Sequence, residues 1–559
     1  MSTARPERSP ESNERLISTG ASPPEREWWR RAVLYQVYPR SFCDASGDGV
    51  GDLQGLISKL DAVQALGVDA LWVCPVYRSP MEDFGYDIED HYQVDPLFGS
   101  QEDMERLLHE AHARGLKVLL DLVISHTASS HAWFKESRQG REGSYSDYFV
   151  WVDPQPDGMP PNNWLSIFGG SAWQWETKRQ QYYLHNFLSS QPDLNFHHPA
   201  VQDEVLAIAR HWLDLGVDGF RLDTVNFYFH DRALRSNPPA SERDSASAPA
   251  VNPYGWQDHL YDKNQPEVLP FIERLRALLD EYEGRVALGE IGESPARSLE
   301  LLAEYTQPGR LHLCYSFDLL SAERSAAHFE RVISRFEERA GESWPCWAFS
   351  NHDVTRAATR LCPPGGSVEA TGSQLCALLL SLRGTPCLYQ GDELALPESE
   401  VPFELLVDPY GIEFWPEFKG RDGCRTPYPW TSEPQAGFSE GAPWLPISDE
   451  HRERSFERQL ADAQSPLSMT RQLLSARREQ AALQSGSIEL LERSGELLSF
   501  ERRLGDERVR CFFNLSLEPA RRELDERESE ARLIIASAGV ELGELLSVPA
   551  QGWALLKLS

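Results

Sequence analysis

Between residues 32 and 389 the chain repeats one unit eight times, a short apolar run followed by an amphipathic or loop segment. The runs are residues 33–38, 70–73, 118–122, 219–222, 286–288, 311–315, 346–349 and 386–389. Runs this short have strand length, and apolar strands that alternate with helices make a parallel sheet covered by its own crossovers. Leu53, Leu56, Ile57, Leu60 and Val63 follow helical spacing. So do Val201, Val205, Ile208, Trp212 and Leu215, and Val268, Phe271, Ile272, Leu275 and Leu279, as expected of helix faces packed on such a sheet. Eight units close a ring, so the expected class is α/β, a (β/α)₈ TIM barrel whose chemistry gathers at the carboxyl ends of its strands.

Two connections are too long for ordinary loops. Residues 127–199, rich in Trp, Gly, Pro and Asn, read as a subdomain inserted after the third strand, and residues 390–455 as a second insertion after the eighth. The barrel then comprises 28–126 and 200–482. From 483 to 559 the runs become short and closely spaced, which predicts a C-terminal antiparallel β-sandwich domain. Residues 1–27, dominated by Arg, Glu, Ser and Pro, read as a flexible extension, and 237–253 as an exposed loop without chemistry.

A net charge of −32 opposes nucleic acid and anionic membranes as partners, because such binding depends on Lys and Arg meeting phosphate, and leaves a neutral small molecule unpenalised. The nine cysteines cannot all pair. Cys74, Cys314, Cys346, Cys376 and Cys387 lie in apolar runs without metal-binding spacing, so buried free thiols and a cytoplasmic location are expected. No segment reaches the roughly 20 apolar residues of a membrane span, and none of signal-peptide character opens the sequence. Oligomeric state is not legible.

Three acids stand where the barrel rule looks for them. Asp223 ends GFRLD, Glu290 ends VALGE and Asp353 ends FSNHD, with Arg221, His126 and His352 beside them in the same kind of position. Cleaving a glycosidic bond with retention needs one carboxyl to protonate the leaving oxygen and another, about 5 to 5.5 Å away, to attack the anomeric carbon. Adjacent barrel strands can supply that pair. Arg221 shares a strand face with Asp223 and would hold it ionised, whereas Glu290 must keep its proton through burial or nearby negative charge.

The segments WWRRAVLYQVYPRSF, GYDIEDH, DLVISHT, QPDLNF, GVDGFRLDTVNF, LGEIGES, FSNHDVTR, GTPCLYQGDEL and GRDGCRTPYPW, in this order, resemble the α-amylase family, glycoside hydrolase family thirteen, and within it the bacterial oligosaccharide α-glucosidases. The resemblance implies Asp223 as nucleophile, Glu290 as acid/base and Asp353 as the carboxylate that steadies the transition state. It implies that His126, Arg221 and His352 line the same subsite, that Tyr86 stacks on the glucose ring, and that Phe168 and Phe187 wall the pocket. In exo-acting relatives an Asp and an Arg close the pocket; Asp83 matches the acid, with Arg421 preferred and Arg425 its competitor. Thr224, where relatives resembling oligo-1,6-glucosidases carry Val, points to α-1,4 bonds. Ser125 departs from the Asn common at that place and puts a supporting hydrogen bond in doubt.

Asp44, Ser46, Asp48, the Val50 carbonyl and Asp52 alternate oxygen donors through DASGDGVGD, a spacing suited to a hard cation, and the resemblance implies a structural Ca²⁺ or Mg²⁺ there. The twelfth position from Asp44 is Gly55, so the loop is no EF-hand. No organic cofactor is expected. The rival readings are a sucrose isomerase or dedicated transglucosidase using the same intermediate, and a non-catalytic amylase-like binding protein, which retention of all three acids disfavours.

Overall fold

The computed structural model describes residues 25–243, 248–295, 297–525, 527–528 and 530–558. The eight expected runs become strands β1 (Leu34–Val37), β2 (Ala70–Val73), β3 (Lys117–Leu122), β4 (Gly219–Leu222), β5 (Val286–Ile291), β6 (Leu313–Ser316), β7 (Cys346–Trp347) and β8 (Thr385–Tyr389). Each pairs in parallel with its neighbour in sequence, β8 returns to β1, and the parallel bridge Cys314↔Pro345 joins β6 to the start of β7. The ring is therefore closed, as a (β/α)₈ barrel requires.

Alternation along the strands decides what the interior holds. Leu34, Ala70, Trp72, Leu119, Val286, Leu288 and Leu313 form one buried cluster inside the ring. Tyr35, Val37, Leu71, Val73, Leu120, Phe220 and Leu222 face outward into the core shared with the helices. The same parity sends Gln36, Asp121, Arg221, Glu290 and Tyr315 inward, all of them buried. Gly219 opens β4 because a Cβ there would sit 2.1 Å from the Val286 carbonyl oxygen.

The helices that deliver the critical strands have legible ends. Pro199–Leu215 starts with Pro in its first turn, is capped by His198 accepting from the Ala200 N–H, and ends at Gly216 with φ 111°. It buries Val201, Val205, Ile208 and Trp212, each side chain contributing roughly 1.5 to 3 kcal/mol, and so fixes the entry of β4. Val268–Leu279 does the same before β5 through Val268, Phe271, Ile272 and Leu275. The first apolar stripe is divided between two helices, Leu53–Ser58 and Leu60–Leu66, by Lys59, whose φ and ψ of −106° and 1° leave the helical region.

After β3 the chain builds a small antiparallel sheet from Trp151–Val152, Trp173–Glu176 and Gln181–Leu184 around Trp164, Trp173 and Leu184. Bridges His126↔Asp193 and Phe149↔Leu194 close it over the barrel. The C-terminal part contains β9 (Ser487–Leu490), β10 (Leu497–Leu504), β11 (Glu507–Asn514), β12 (Ala520–Glu523), β13 (Arg532–Ala536), β14 (Glu541–Leu542), β15 (Leu545–Val548) and β16 (Trp553–Lys557). These make a five-stranded and a three-stranded sheet, with Leu497, Phe512 and Leu556 of one meeting Leu546 and Val548 of the other.

Residues 1–24 of the expected N-terminal extension lie outside the described residues, and Glu25–Arg30 forms a 3₁₀ turn in which Trp28 donates to the Gly284 carbonyl at 2.8 Å. The segment 237–253 corrects an expectation. Asn237 and Asn252 are buried, and Asn252 donates to the Ile167 carbonyl at 2.7 Å and the Tyr410 hydroxyl at 3.1 Å, joining this loop to both insertions. Residues 244–247 within it lie outside the described residues. All nine cysteines are unpaired thiols, and among the described residues no helix is long and apolar enough to cross a membrane.

Candidate active site

A cavity of about 380 Å³ opens at the carboxyl ends of the barrel strands. Asp83, Tyr86, His126, Phe168, Phe187, Asp223, Thr224, Glu290, His352, Asp353 and Arg421 all line it. Arg221 lies beneath the cavity, buried within the ring.

Its guanidinium organises the floor. Nη1 donates to Asp223 Oδ1 at 2.7 Å and to Asp121 Oδ1 at 2.6 Å, while Nη2 lies 2.6 Å from Glu290 Oε1 and 2.9 Å from the Tyr315 hydroxyl. The Tyr315 hydroxyl in turn donates to Glu290 Oε1 at 2.7 Å. Trp72, 5.0 Å below the guanidinium, gives the cation an aromatic face. One residue past Asp223, Thr224 takes the left-handed conformation, φ 40° and ψ 49°. For a β-branched residue this costs of order 1 to 3 kcal/mol, and it aims the Thr224 N–H at Glu290 Oε2, 3.0 Å away.

Burial raises both Asp223 and Glu290 to about 7, with Arg221 opposing the rise in each. Asp121 adds to the rise at Asp223, and Asp223 to that at Glu290. Two carboxyls sharing one cation titrate as a pair, each disfavouring ionisation of the other. Asp353 differs. Burial opposes its charge, yet His352, Arg425 and Arg421 together carry it well below the ordinary carboxylate range. Burial also depresses His352 to about 3, so near neutral pH the two guanidiniums supply the positive charge. With Gln36 donating to its Nδ1 at 2.8 Å, neutral His352 presents Nε2–H to Asp353 Oδ2 at 3.2 Å.

At the other side of the cavity Arg421 Nη2 donates to Asp83 Oδ1 at 2.8 Å and Nη1 to Asp353 Oδ1 at 3.3 Å. Arg425 instead donates to Asp353 Oδ1 at 2.8 Å and to the His352 carbonyl at 2.7 Å, which assigns the contact with Asp83 to Arg421. His126 donates through Nε2 to the Tyr86 carbonyl at 2.8 Å and accepts at Nδ1 from Ser125, 2.9 Å away. Ser125 Oγ is also 3.2 Å from Thr224 Oγ1, so the unexpected serine still makes a hydrogen bond behind the cavity wall. Tyr86 stacks on His352 at 5.1 Å, and Phe168 lies 6.0 Å from Phe187 and 5.1 Å from the Arg421 guanidinium.

Sequence reasoning missed Asp121, Tyr315, Gln191, Lys263, Asp408 and Tyr410. Strand parity could have found Asp121 and Tyr315. Asp408 accepts from Arg421 N, Nε and Nη2 at 2.7, 3.1 and 2.7 Å, and Gln191 donates to Asp83 Oδ2 at 3.0 Å, but both come from insertions with no period to betray them. Ala248 and Pro249, in the loop read as idle, border the cavity.

In the Asp44–Asp52 loop the donor chemistry suits a hard cation, but the side chains do not form a cage. Asp44 accepts from Gly47 N, Gly49 N and the Ser46 hydroxyl at 2.7, 2.8 and 3.0 Å. Asp52 accepts from Ala45 N and Ser46 N at 3.0 and 2.9 Å and from Gly55 N at 2.6 Å as a helix cap. Among the described residues no group of three or more acids, histidines or cysteines is arranged so that it could hold a metal ion.

The family model for the alpha-amylase catalytic domain matches residues 36–486. The chain belongs to the α-amylase family. It is accordingly a glycoside hydrolase. A protein of Rhizobium meliloti described as "Probable alpha-glucosidase" is 53% identical over 91% of this chain and 93% of its own. An oligo-1,6-glucosidase of Heyndrickxia coagulans is 35% identical over 83% and 88%. Among solved structures, the alpha-glucosyl transfer enzyme XgtA superposes with a TM-score of 0.91 at 52% identity, covering 95% of this chain and 99% of its own. The trehalulose synthase MutB of Pseudomonas mesoacidophila gives 0.87 at 31%, covering 96% and 100%.

Proposed function

We propose that this member of the α-amylase family is an exo-acting, retaining α-glucosidase. It removes terminal glucose from short oligosaccharides, favours α-1,4 bonds, and passes part of its glucosyl intermediate to acceptors other than water. The observation that carries the reading is one buried guanidinium, Arg221, reaching Asp223 and Glu290 from its two terminal nitrogens at the floor of a cavity closed opposite by Asp83 and Arg421. The relatives described as glucosidases support the same reaction class.

Asp223 Oδ2, the oxygen not held by Arg221, attacks the anomeric carbon while Glu290 gives its proton to the glycosidic oxygen. The bond to the aglycone breaks and a glucosyl ester of Asp223 forms. Glu290, now ionised, takes a proton from water, which displaces Asp223 and restores both groups with the anomer retained. Asp353, His352 and Asp83 accept or donate at the sugar hydroxyls, and Arg421 ends the pocket so that a single glucose unit fits. Where a sugar or alcohol replaces water, transfer results.

Incubation with maltose, isomaltose, sucrose and trehalose, followed by chromatography and by NMR of the nascent anomer, tests this. Expected are α-glucose as first product and maltose as the preferred substrate. Release of β-glucose would sink the retaining mechanism. Conversion of sucrose into an isomer without net hydrolysis would favour the second reading, a sucrose isomerase or dedicated transglucosidase, for which the likeness to XgtA and MutB speaks. Asp223→Ala should abolish turnover. Glu290→Gln should spare substrates with activated leaving groups by about 100-fold relative to maltose.

A structural cation at Asp44, Ser46, Asp48, Val50 and Asp52 belongs to the same proposal, supported by the alternation of oxygen donors and requiring Asp44 to give up N–H partners. Chelation is expected to lower the thermal midpoint; an unchanged midpoint leaves the loop to its own hydrogen bonds. Nine unpaired thiols support a cytoplasmic location.

A further inference from the structure

The parallel ladder between β4 and β5 ends at Leu222↔Gly289, one residue short of both carboxyls. Beyond it Glu290 stays paired with Tyr315 of β6 and the Asp223 N–H bonds to the Leu122 carbonyl of β3, but no backbone pair joins β4 directly to β5. Side chains take over beyond that point. Asn226 offers its amide as a peptide would, accepting from Gly292 N at 3.2 Å and donating to the Gly292 carbonyl at 3.1 Å. Lys263, a buried ammonium in the cavity wall that the proposed reaction does not use, donates to the same carbonyl at 3.0 Å. Its charge is met by buried Glu293 at 3.5 Å, whose carboxylate also accepts from Asn264, itself bonded to Asn226 at 2.8 Å.

We propose that Lys263 is a positioning residue for the acid/base, which, with Asn226, ties the segment after Glu290 to the segment after Asp223 through the Gly292 carbonyl. A buried ammonium is expensive to hold unless its hydrogen bonds are made, so its placement on a loop carbonyl fixes that loop firmly. The inference rests on the reading of Glu290 as acid/base. Displacing that carboxyl costs most where the leaving group needs its proton and least where it does not.

The test compares maltose with p-nitrophenyl α-glucoside for wild type, Glu290→Gln and Lys263→Met. For Lys263→Met, kcat on maltose is expected to fall about 100-fold and kcat on the activated glucoside less than about tenfold, with KM little changed. Where Lys263→Met does not fold, the neutral pair Lys263→Met/Glu293→Gln carries the same test, because it leaves no unpaired buried charge. Equal loss on both substrates, greater loss on the activated one, a rise in KM at unchanged kcat, or no loss overturns the proposal. If Glu290→Gln itself lacks the leaving-group split, the acid/base reading has failed; if only the Lys263 variants lack it, this inference alone has.

Discussion

At Asp223 and Glu290 stability and chemistry pull in opposite directions. Both are enclosed, and both are raised to about 7 from ordinary values of 3.8 and 4.5. A carboxyl whose folded value is raised contributes to folding below its ordinary value and loses that contribution as the pH climbs through the folded value. The protein should therefore lose stability through this pair between about pH 4 and 7. Asp223→Asn removes one of the two charges. It should be more stable than wild type at pH 8 by about 1 to 3 kcal/mol and gain little at pH 4, measured by denaturant midpoints. A variant less stable than wild type at both pH values would show that the Arg221 contacts outweigh the cost of burial. Asp353, held ionised by Arg421 and Arg425, belongs to the opposite class and should not follow this pattern.

Among the elements, one strand residue carries a buried polar part of the join between barrel and C-terminal sheets, beside Gln374, which donates to the Asn514 and Gly552 carbonyls. Arg502 in β10 is buried and donates to the Ser381 and Leu382 carbonyls at 2.6 and 2.7 Å, where the helix Val368–Ser381 leaves its last acceptors unsatisfied. Burial, with Arg477 nearby, lowers Arg502 to about 9. Arg502→Met should cost about 3 kcal/mol or more, because the carbonyls it serves stay buried without donors. Its denaturation midpoint should fall while KM and kcat of the surviving fold hold; a lost activity at full stability would contradict a purely structural join. The insertions work similarly at the cavity, where Asp408 and Gln191 orient Arg421 and Asp83 from segments far apart in sequence.

For the molecule as a whole, the charge of −32 is the dominant long-range term. Self-repulsion of this size is screened by salt, since the Debye length falls from about 30 Å at 0.01 M to about 3 Å at 1 M. Added NaCl should raise the thermal midpoint while leaving KM for a neutral oligosaccharide unchanged. A KM that follows ionic strength would mean the substrate is charged.

The primary structure by itself determined the barrel. Strand and helix periods are local, and eight of them in alternation have one closed solution, so the fold class, the strand positions and the three acids at strand ends were all legible. The glucose-side residues Asp83, Tyr86, Phe168, Phe187 and Arg421 were legible through the family resemblance alone, since Phe168, Phe187 and Arg421 sit inside insertions that carry no period. Tertiary structure alone decided that Arg421 rather than Arg425 faces Asp83, that the 237–253 loop borders the cavity, and that Asp44 and Asp52 turn toward backbone N–H groups. Each of these turns on side-chain direction in irregular backbone, where no repeating geometry links position in the chain to position in space.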